Sequence, residues 1–307
     1  MQGSALSVGL PVLRANLPYR TVGDDEDDCE ATVFVPVDLR DARADAERFK
    51  LDDCGFELFR DWALNLSRED CYVHSDVVLR YYPVLADAMR RATGAAIVIP
   101  VQHTVRNHVV KEMELSSDGQ MLTKGLAGPA HIVHSDLSWD AGWGLVYRKL
   151  AGIETEEDLD VALSGRFAVI NVWLALAPVL RDPLALADWN SLGDEEEYGP
   201  RGSFFSPRHS WYYFSQLSPG EALLFKQFDS DASRAGAALH SAFELPDVPP
   251  GTPPRESLDI RCYCFFGPEL PLGFGNAFTE SLRRPHVCCE DGLREQVRKN
   301  GCIFRRL

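Results

Sequence analysis

The sequence predicts a mainly β protein with flanking helices at the two ends of the chain. Strand-like segments dominate residues 96–270, and a parallel α/β sheet would need helices that alternate with them. The chain has 307 residues, a length that all-β barrels reach as one unit. We therefore expect a single domain over 1–307, with its core at about 96–270 and helical and loop extensions at 1–95 and 271–307.

The N-terminal part contains two helix predictions. A short helix is expected from Phe56 to Leu66, after an acidic, solvated loop from Asp24 to Asp28. A second helix follows Ser75-Asp76 and ends at Gly94. Its apolar residues recur at helical spacing: Val78, Tyr82, Leu85 and Met89.

The strand-rich middle begins at Ala96–Val105, where an internal proline indicates a bend or a sheet edge. A long apolar strand is expected at 166–176, with Asn171 and Trp173 on the face that carries Phe167 and Val169. One helix is expected at 156–163, a surface loop at 193–202 and a last helix at 292–300. Further strands are expected at Trp211–Phe214, Ala222–Phe228, Ala238–Phe243 and Leu258–Phe266.

Net charge and cysteine usage limit the partners. The formal charge is −15, from 46 acidic and 31 basic residues, so the surface repels phosphate and we expect no nucleic-acid partner. No signal peptide and no apolar run of about 20 residues is recognisable, so no membrane partner is expected. None of the eight cysteines has CxxC spacing, and Cys262 and Cys264 are expected in the core. Reduced thiols indicate a cytoplasmic location.

A candidate metal site begins at His134-Ser135-Asp136. On a strand, residues i and i+2 point the same way, so His134 and Asp136 can reach one ion. His240, in the apolar segment ALHSAF, can complete the set from a neighbouring strand. Two histidines and one carboxylate form the facial triad of non-haem iron(II) oxygenases, with open positions for a 2-oxo acid and dioxygen.

A candidate co-substrate site follows fifteen residues after His240. Arg255 and Ser257 can share a strand face, and guanidinium with hydroxyl can bind the distal carboxylate of 2-oxoglutarate. Arg261 is the alternative anchor. The order of H-x-D strand, histidine strand and arginine strand is the one that a double-stranded β-helix, or jelly-roll, oxygenase requires.

At these residues the chain resembles the fungal AsaB-type hydroxylase/desaturase family, within the Fe(II)/2-oxoglutarate-dependent dioxygenase superfamily. The resemblance spans roughly residues 70–270 and rests on seven separated motifs in order. They are His103-Thr104-Val105-Arg106, His134-Ser135-Asp136, Asn171-Val172-Trp173, Pro183-Leu184-Ala185-Leu186, Lys226-Gln227-Phe228-Asp229-Ser230, His240-Ser241-Ala242-Phe243 and Pro253-Pro254-Arg255-Glu256-Ser257.

The resemblance implies an oxygenase of secondary metabolism that oxidises an unactivated C–H bond of a small molecule, by hydroxylation, desaturation or oxidative cyclisation. It implies Fe(II) on His134, Asp136 and His240, with Arg255 and Ser257 binding 2-oxoglutarate. One position departs from the family, which has arginine after Asn-Val-Trp where this chain has Leu174. Two other functions stay open: a non-catalytic, cupin-like binding protein, and a zinc hydrolase with the same ligands.

Substrate contacts are harder to assign from the sequence. The candidates are Gln102, Arg106, Trp139, Asn171, Trp173 and Gln227. Core packing is the competing interpretation for the two tryptophans. A buried Arg106 would need an anion, which could be a substrate carboxylate, Asp136 or another structural acid. Related barrels pair through terminal helices, so a homodimer is also expected.

Overall fold

The computed structural model describes residues 10–21, 32–107, 126–138, 141–193, 199, 202–267 and 270–283. The strands, in chain order, are β1 (Val12–Arg20), β2 (Thr32–Asp41), β3 (Phe56–Phe59), β4 (Ile97–Asn107), β5 (Leu126–Ala127), β6 (Phe167–Ala175), β7 (Leu184–Ala187), β8 (Trp211–Tyr213), β9 (Ala222–Asp229), β10 (His240–Ala242) and β11 (Glu256–Phe265). The α-helices are α1 (Leu51–Cys54), α2 (His74–Asp76), α3 (Tyr82–Thr93), α4 (Ala141–Leu150), α5 (Glu156–Ser164) and α6 (Asn276–Leu282).

Shorter helical turns complete the description. A π-helical turn at Val77–Tyr81 joins α2 to α3, and 3₁₀ turns lie at Arg43–Arg48, Asp70–Tyr72 and Trp189–Ser191. The predicted stop at Gly94 is confirmed, because this residue caps α3 with a left-handed φ of 74°. None of the helices in the described ranges has the length and apolarity that crossing a bilayer demands.

Two sheets form the framework. The major sheet has the order β3-β9-β6-β11-β4-β5, and the minor sheet has the order β1-β2-β8-β7-β10. In the major sheet β6 lies between β9 and β11, antiparallel to both. The arrangement confirms the predicted mainly β class with a jelly-roll core, because both sheets contribute side chains to a shared interior.

The period of two on β6 and β11 separates two environments. Ile170, Val172 and Leu174 pack with Ile260, Cys262 and other apolar residues on the face that α3 covers. Asn171 and Trp173 lie on the opposite face, in agreement with the prediction that they share one face of this strand. Trp173 packs there with Leu184 and Leu186 of the minor sheet. One face of the major sheet is therefore a helix-covered core, and the other can build a site.

The N-terminal extension differs from the expectation of helices and loops. Residues before 96 form β1, β2 and β3, and Phe56–Phe59 is a strand where a helix was predicted to begin. That helix prediction is wrong because Phe56 and Leu58 alternate with more exposed residues and pair with β9. Pairing with the distant strand β9 determined the conformation of this segment, and local propensity alone does not reveal such pairing.

A helix at α4 was not predicted. Its sequence contains Gly142 and Gly144, which lower helix propensity in a solvent-exposed helix. Gly142 packs directly on the ring of Phe228, and a Cβ at this position would clash with it. The glycine therefore allows close packing of helix on sheet, a role that tertiary structure alone explains.

Several strand predictions are confirmed with small changes in bounds. Pro100 lies beside a register shift between β4 and β11, which agrees with the predicted bend. Cys262 and Cys264 are fully buried free thiols. The predicted acidic loop 24–28, the helix at 292–300 and part of the 193–202 loop lie outside the described residues.

Candidate active site

His134 pairs with His240, the first residue of β10, in an isolated antiparallel bridge. The backbone amide of each donates to the carbonyl of the other, with N···O distances of 3.1 Å and 2.9 Å. The ring centroids are 4.3 Å apart, and His134 Nε2 lies 3.6 Å from Asp136 Oδ1. One ligand atom from each of the three residues lies within 4.8 Å of the others, so a single ion can contact all three.

The sequence predicted that His134 and Asp136 point the same way because they are residues i and i+2 of one strand. The structure brings them together in a different way. Only His134 is in a bridge, and Asp136 lies in a bend. Gln227 holds this bend, since its Oε1 accepts hydrogen bonds from Ser135 Oγ at 3.0 Å and from the Asp136 amide at 2.9 Å. Gln227 is the extra residue of a β-bulge on β9 opposite Val169 and Ile170. The bulge directs the Gln227 side chain towards Ser135 and Asp136.

Both histidines present Nε2 to the site. His134 Nδ1 lies 2.8 Å from the Ile132 carbonyl, and His240 Nδ1 lies 3.1 Å from the Ala238 carbonyl. A carbonyl only accepts, so each Nδ1 carries the proton and each Nε2 keeps its lone pair. Burial, together with the neighbouring His134, lowers the pKa of His240 to about 3. His240 is thus a neutral imidazole, the form that binds metal.

Asp136 is held by two neighbours on the inner face of the major sheet. Its Oδ2 accepts from Asn171 Nδ2 at 2.8 Å and from the Arg261 guanidinium at 2.7 Å. Asn171 and Arg261 are cross-strand partners on β6 and β11, so both reach the same oxygen. Burial acts to raise the pKa of Asp136, but the positive charge of the Arg261 guanidinium helps to hold it well below its usual value. These two contacts leave Oδ1 available to an ion.

A cavity opens beside the triad. Its lining includes both histidines, two arginines and an acid: Arg106, Ala130, His134, Trp173, Leu184, Phe225, His240, Arg255 and Asp259. Arg255 precedes β11 and is almost fully buried, with one donated bond of 2.6 Å to the Asp182 carbonyl. Its guanidinium lies 5.5 Å from the centre of the Trp173 ring. Burial and the nearby Arg106 lower the pKa of Arg255 to about 10, so it remains charged at neutral pH.

Seven buried polar atoms, on residues that line this cavity or neighbour those residues on β6, β9 and β11, have no hydrogen-bond partner within the described part of the chain. They are Asn171 Oδ1, Trp173 Nε1, Gln227 Nε2, Arg255 Nε, Ser257 Oγ, Asp259 Oδ1 and Arg261 Nε. Buried polar atoms in folded proteins are nearly always satisfied. Their concentration at one place fits a site that receives a polar ligand together with a metal.

The remaining candidates have varied positions. Arg106 lines the cavity, and the acid beside it is Asp259, at 3.9 Å. Gln102 is exposed but pairs in register with Arg261, whereas Asn171 and Gln227 contact the Asp136 segment rather than lining the cavity. Trp139 lies outside the described residues.

Leu174 is not one of the residues that line the cavity. It lies on the helix-covered face of β6, on the side opposite Trp173. The departure from the family at this position therefore changes the outer core and not the wall of the cavity.

Sequence reasoning missed four wall residues, Ala130, Leu184, Phe225 and Asp259. Asp259 lies between Ser257 and Arg261 on the same strand face, so the period of two could have identified it. Phe225 and Leu184 come from β9 and β7, in the two different sheets. No local pattern distinguishes them from ordinary core residues.

A jelly-roll with a His-Asp-His cluster and a buried arginine in one cavity is the architecture of a non-haem metal oxygenase. The family model described as "Oxidoreductase/YMDC permease-like domain" matches residues 14–265. The chain is similar to the alpha-ketoglutarate-dependent dioxygenase tstK of Talaromyces stipitatus, with 32% identity over 75% of this chain and 84% of the relative. It is also similar to the hydroxylase/desaturase efuI of Hormonema carpetanum, with 30% identity over 75% and 83%.

A solved structure shows the same fold. The iron and alpha-ketoglutarate-dependent endoperoxidase NvfI superposes with a TM-score of 0.68 at 24% identity, covering 84% of this chain and 99% of NvfI. The chain belongs to the family that contains these fungal hydroxylase/desaturases and 2-oxoglutarate-dependent dioxygenases. It is a 2-oxoglutarate-dependent non-haem iron dioxygenase, with Fe(II) as cofactor and 2-oxoglutarate and dioxygen as co-substrates.

Proposed function

We propose that the protein oxidises an unactivated C–H bond of a small molecule in secondary metabolism, with hydroxylation, desaturation or oxidative cyclisation as the outcome. His134, Asp136 and His240 hold Fe(II) in this proposal. The observation that carries it is the set of three ligand atoms within 4.8 Å of one another, beside a cavity with a buried arginine. The non-catalytic binding protein and the zinc hydrolase are not favoured.

The donor set supports iron. A neutral imidazole at His240 and an anionic Asp136 match the two-histidine, one-carboxylate arrangement of ferrous oxygenases. A zinc hydrolase needs a general base beside its metal-bound water. Ser135, the residue between the two ligands, instead donates its hydroxyl to Gln227.

The structure supports Arg255 over Arg261 as the residue that binds the distal carboxylate of 2-oxoglutarate. Arg261 is engaged by Asp136 at 2.7 Å. Arg255 lines the cavity with its Nε lacking a partner among the described residues. Ser257 Oγ, on the inner face of β11, is also buried and also lacks a hydrogen-bond partner among the described residues. It can therefore donate one hydrogen bond to the same carboxylate.

The protein's own residues bind, orient and exclude water. Two imidazoles and one fixed carboxylate oxygen set the metal position, and Arg255 sets the direction of the co-substrate. Trp173, Phe225 and Leu184 form an apolar wall that keeps water from the reacting centre. Bound iron, with 2-oxoglutarate and dioxygen, supplies the oxidising power for breaking the C–H bond.

The first experiment is an anaerobic titration with Fe(II) and 2-oxoglutarate, followed by visible spectroscopy. The proposal expects a metal-to-ligand charge-transfer band in the wild type, which requires a keto acid chelated to ferrous iron. His134→Ala should lose both iron and band, whereas Arg255→Ala should keep iron and need far more 2-oxoglutarate. Arg90→Gln, at an exposed arginine of α3, is the matched control. Iron that binds without ever giving a band contradicts the proposal.

The other partner predictions stay predictions. A cytoplasmic location agrees with four buried free thiols: Cys54, Cys71, Cys262 and Cys264. The charge of −15 supports the absence of nucleic acid from the proposed partners. A homodimer is proposed on the expectation from related barrels.

A further inference from the structure

The charges around the cavity do not balance. Two guanidinium groups, of Arg106 and Arg255, line it, and that of Arg261 lies beside Asp136. Their three positive charges stand against the carboxylates of Asp136 and Asp259. The carboxylate of Asp182 is already paired with Arg181 at 3.0 Å. Fe(II) carries two positive charges and 2-oxoglutarate two negative charges, so their binding cancels. One positive charge therefore remains in excess among the described residues of the loaded site.

Arg106 carries this excess. Arg261 is paired with Asp136, and Arg255 is assigned to the co-substrate. Arg106 donates one hydrogen bond, of 3.1 Å, to the Gly128 carbonyl, and its nearest carboxylate oxygen on Asp259 is 3.9 Å away, too far for a hydrogen bond.

The positions of the two cavity arginines separate their roles. Arg255 is 2% exposed, whereas the Arg106 side chain retains 20% exposure. The co-substrate is assigned to the buried Arg255. The partly exposed guanidinium of Arg106 is then left for the molecule that binds second.

We propose that Arg106 is a specificity-determining residue that binds a carboxylate, or an equivalent anionic group, on the substrate. The inference rests on the proposed function, because it assumes that His134, Asp136 and His240 hold Fe(II) and that Arg255 binds 2-oxoglutarate. It assigns the substrate to the organic acids. A guanidinium fork matches a carboxylate with two parallel hydrogen bonds, which fixes orientation as well as charge.

The test uses the full chain loaded anaerobically with Fe(II) and 2-oxoglutarate, and two matched probe pairs: benzoate with benzamide, and decanoate with decanamide. Calorimetric titration gives the affinities, and the visible band is followed in the same samples. The wild type should prefer at least one acid over its amide by about tenfold or more, as for a hydrogen bond to a charged group. Arg106→Gln should lose the preference with unchanged 2-oxoglutarate affinity, and Arg106→Lys should retain part of it. Arg90→Gln should behave as wild type.

Each other outcome overturns the inference. Equal affinity for acid and amide in both pairs of the wild type means that the cavity has no acid subsite. Loss of the band on adding an acid means that the acid displaces 2-oxoglutarate rather than binding at Arg106. A large loss of 2-oxoglutarate affinity in Arg106→Gln makes Arg106 the co-substrate anchor. If the wild type never forms the band, the proposed function itself fails, which is a distinguishable result.

Discussion

Replacing Asn171 with leucine should weaken metal binding without weakening the fold. Asn171 Nδ2 donates to Asp136 Oδ2 at 2.8 Å, and its own Oδ1 is buried with no partner among the described residues. A hydrogen bond to a charged group contributes about 1.5–3 kcal/mol, which corresponds to roughly tenfold to a hundredfold in affinity. Removing contacts behind a metal ligand typically costs a factor of about 10–100.

The stability of the metal-free protein should stay level or rise. Leucine matches asparagine in the number and branching of its side-chain heavy atoms, and the substitution removes a buried oxygen that lacks a donor among the described residues. A residue that served only the fold would instead lose stability when changed. Two readouts therefore separate a positioning role from a structural one: Fe(II) affinity by anaerobic chelator competition, and the free energy of unfolding in urea.

Arg261→Met provides a second test of the same oxygen, since the Arg261 guanidinium lies 2.7 Å from Asp136 Oδ2. The two contacts share one acceptor, so the double variant should show less than the sum of the two losses. Asn65→Leu, at an exposed asparagine, is the matched control. Wild-type iron affinity in Asn171→Leu would refute the idea that this pair fixes Asp136.

Three further changes test the framework. Lys226→Met removes a fully buried ammonium that lies 2.6 Å from Asp229, so unfolding free energy in urea should fall by about 3 kcal/mol; an unchanged midpoint argues against this buried pair. Gly142→Ala places a methyl group against the Phe228 ring and should lower thermal stability by about 1–3 kcal/mol despite better helix propensity; a stabilised variant contradicts the close contact. Partial burial, together with the neighbouring His74, lowers the pKa of His103 from 6.5 to about 3, so between these pH values the unfolded chain binds a proton that the folded protein does not. The unfolding free energy of the metal-free protein should therefore fall as the pH drops from 6.5 towards 3, and His103→Asn should reduce that slope by about 1.4 kcal/mol per pH unit. Identical slopes for both proteins would exclude His103.

The strands with a clear period of two were predictable from sequence. Residues 166–176 alternate between two buried faces, and the assignment of Asn171 and Trp173 to one face is confirmed. The segment from Phe56 was not predictable, because FELF fits helix and strand alike until β9 pairs with it. The helix at α4 was hidden by its glycines, which a single sequence presents as helix breakers.

The sequence by itself determined the residue types of the site: an H-x-D, a later histidine and an arginine, in the order a jelly-roll oxygenase requires. Ligand chemistry depends on which donors are present, and sequence states that directly. Tertiary structure decided their arrangement. A bulge at Gln227 turns Asp136 towards His134, and a cross-strand pair leaves Asp136 one oxygen for metal. Only the tertiary structure shows that Arg261 forms an ion pair with Asp136 and that Leu174 lies on the helix-covered face of the major sheet. These outcomes depend on contacts between residues distant in the chain, which local periodicity does not encode.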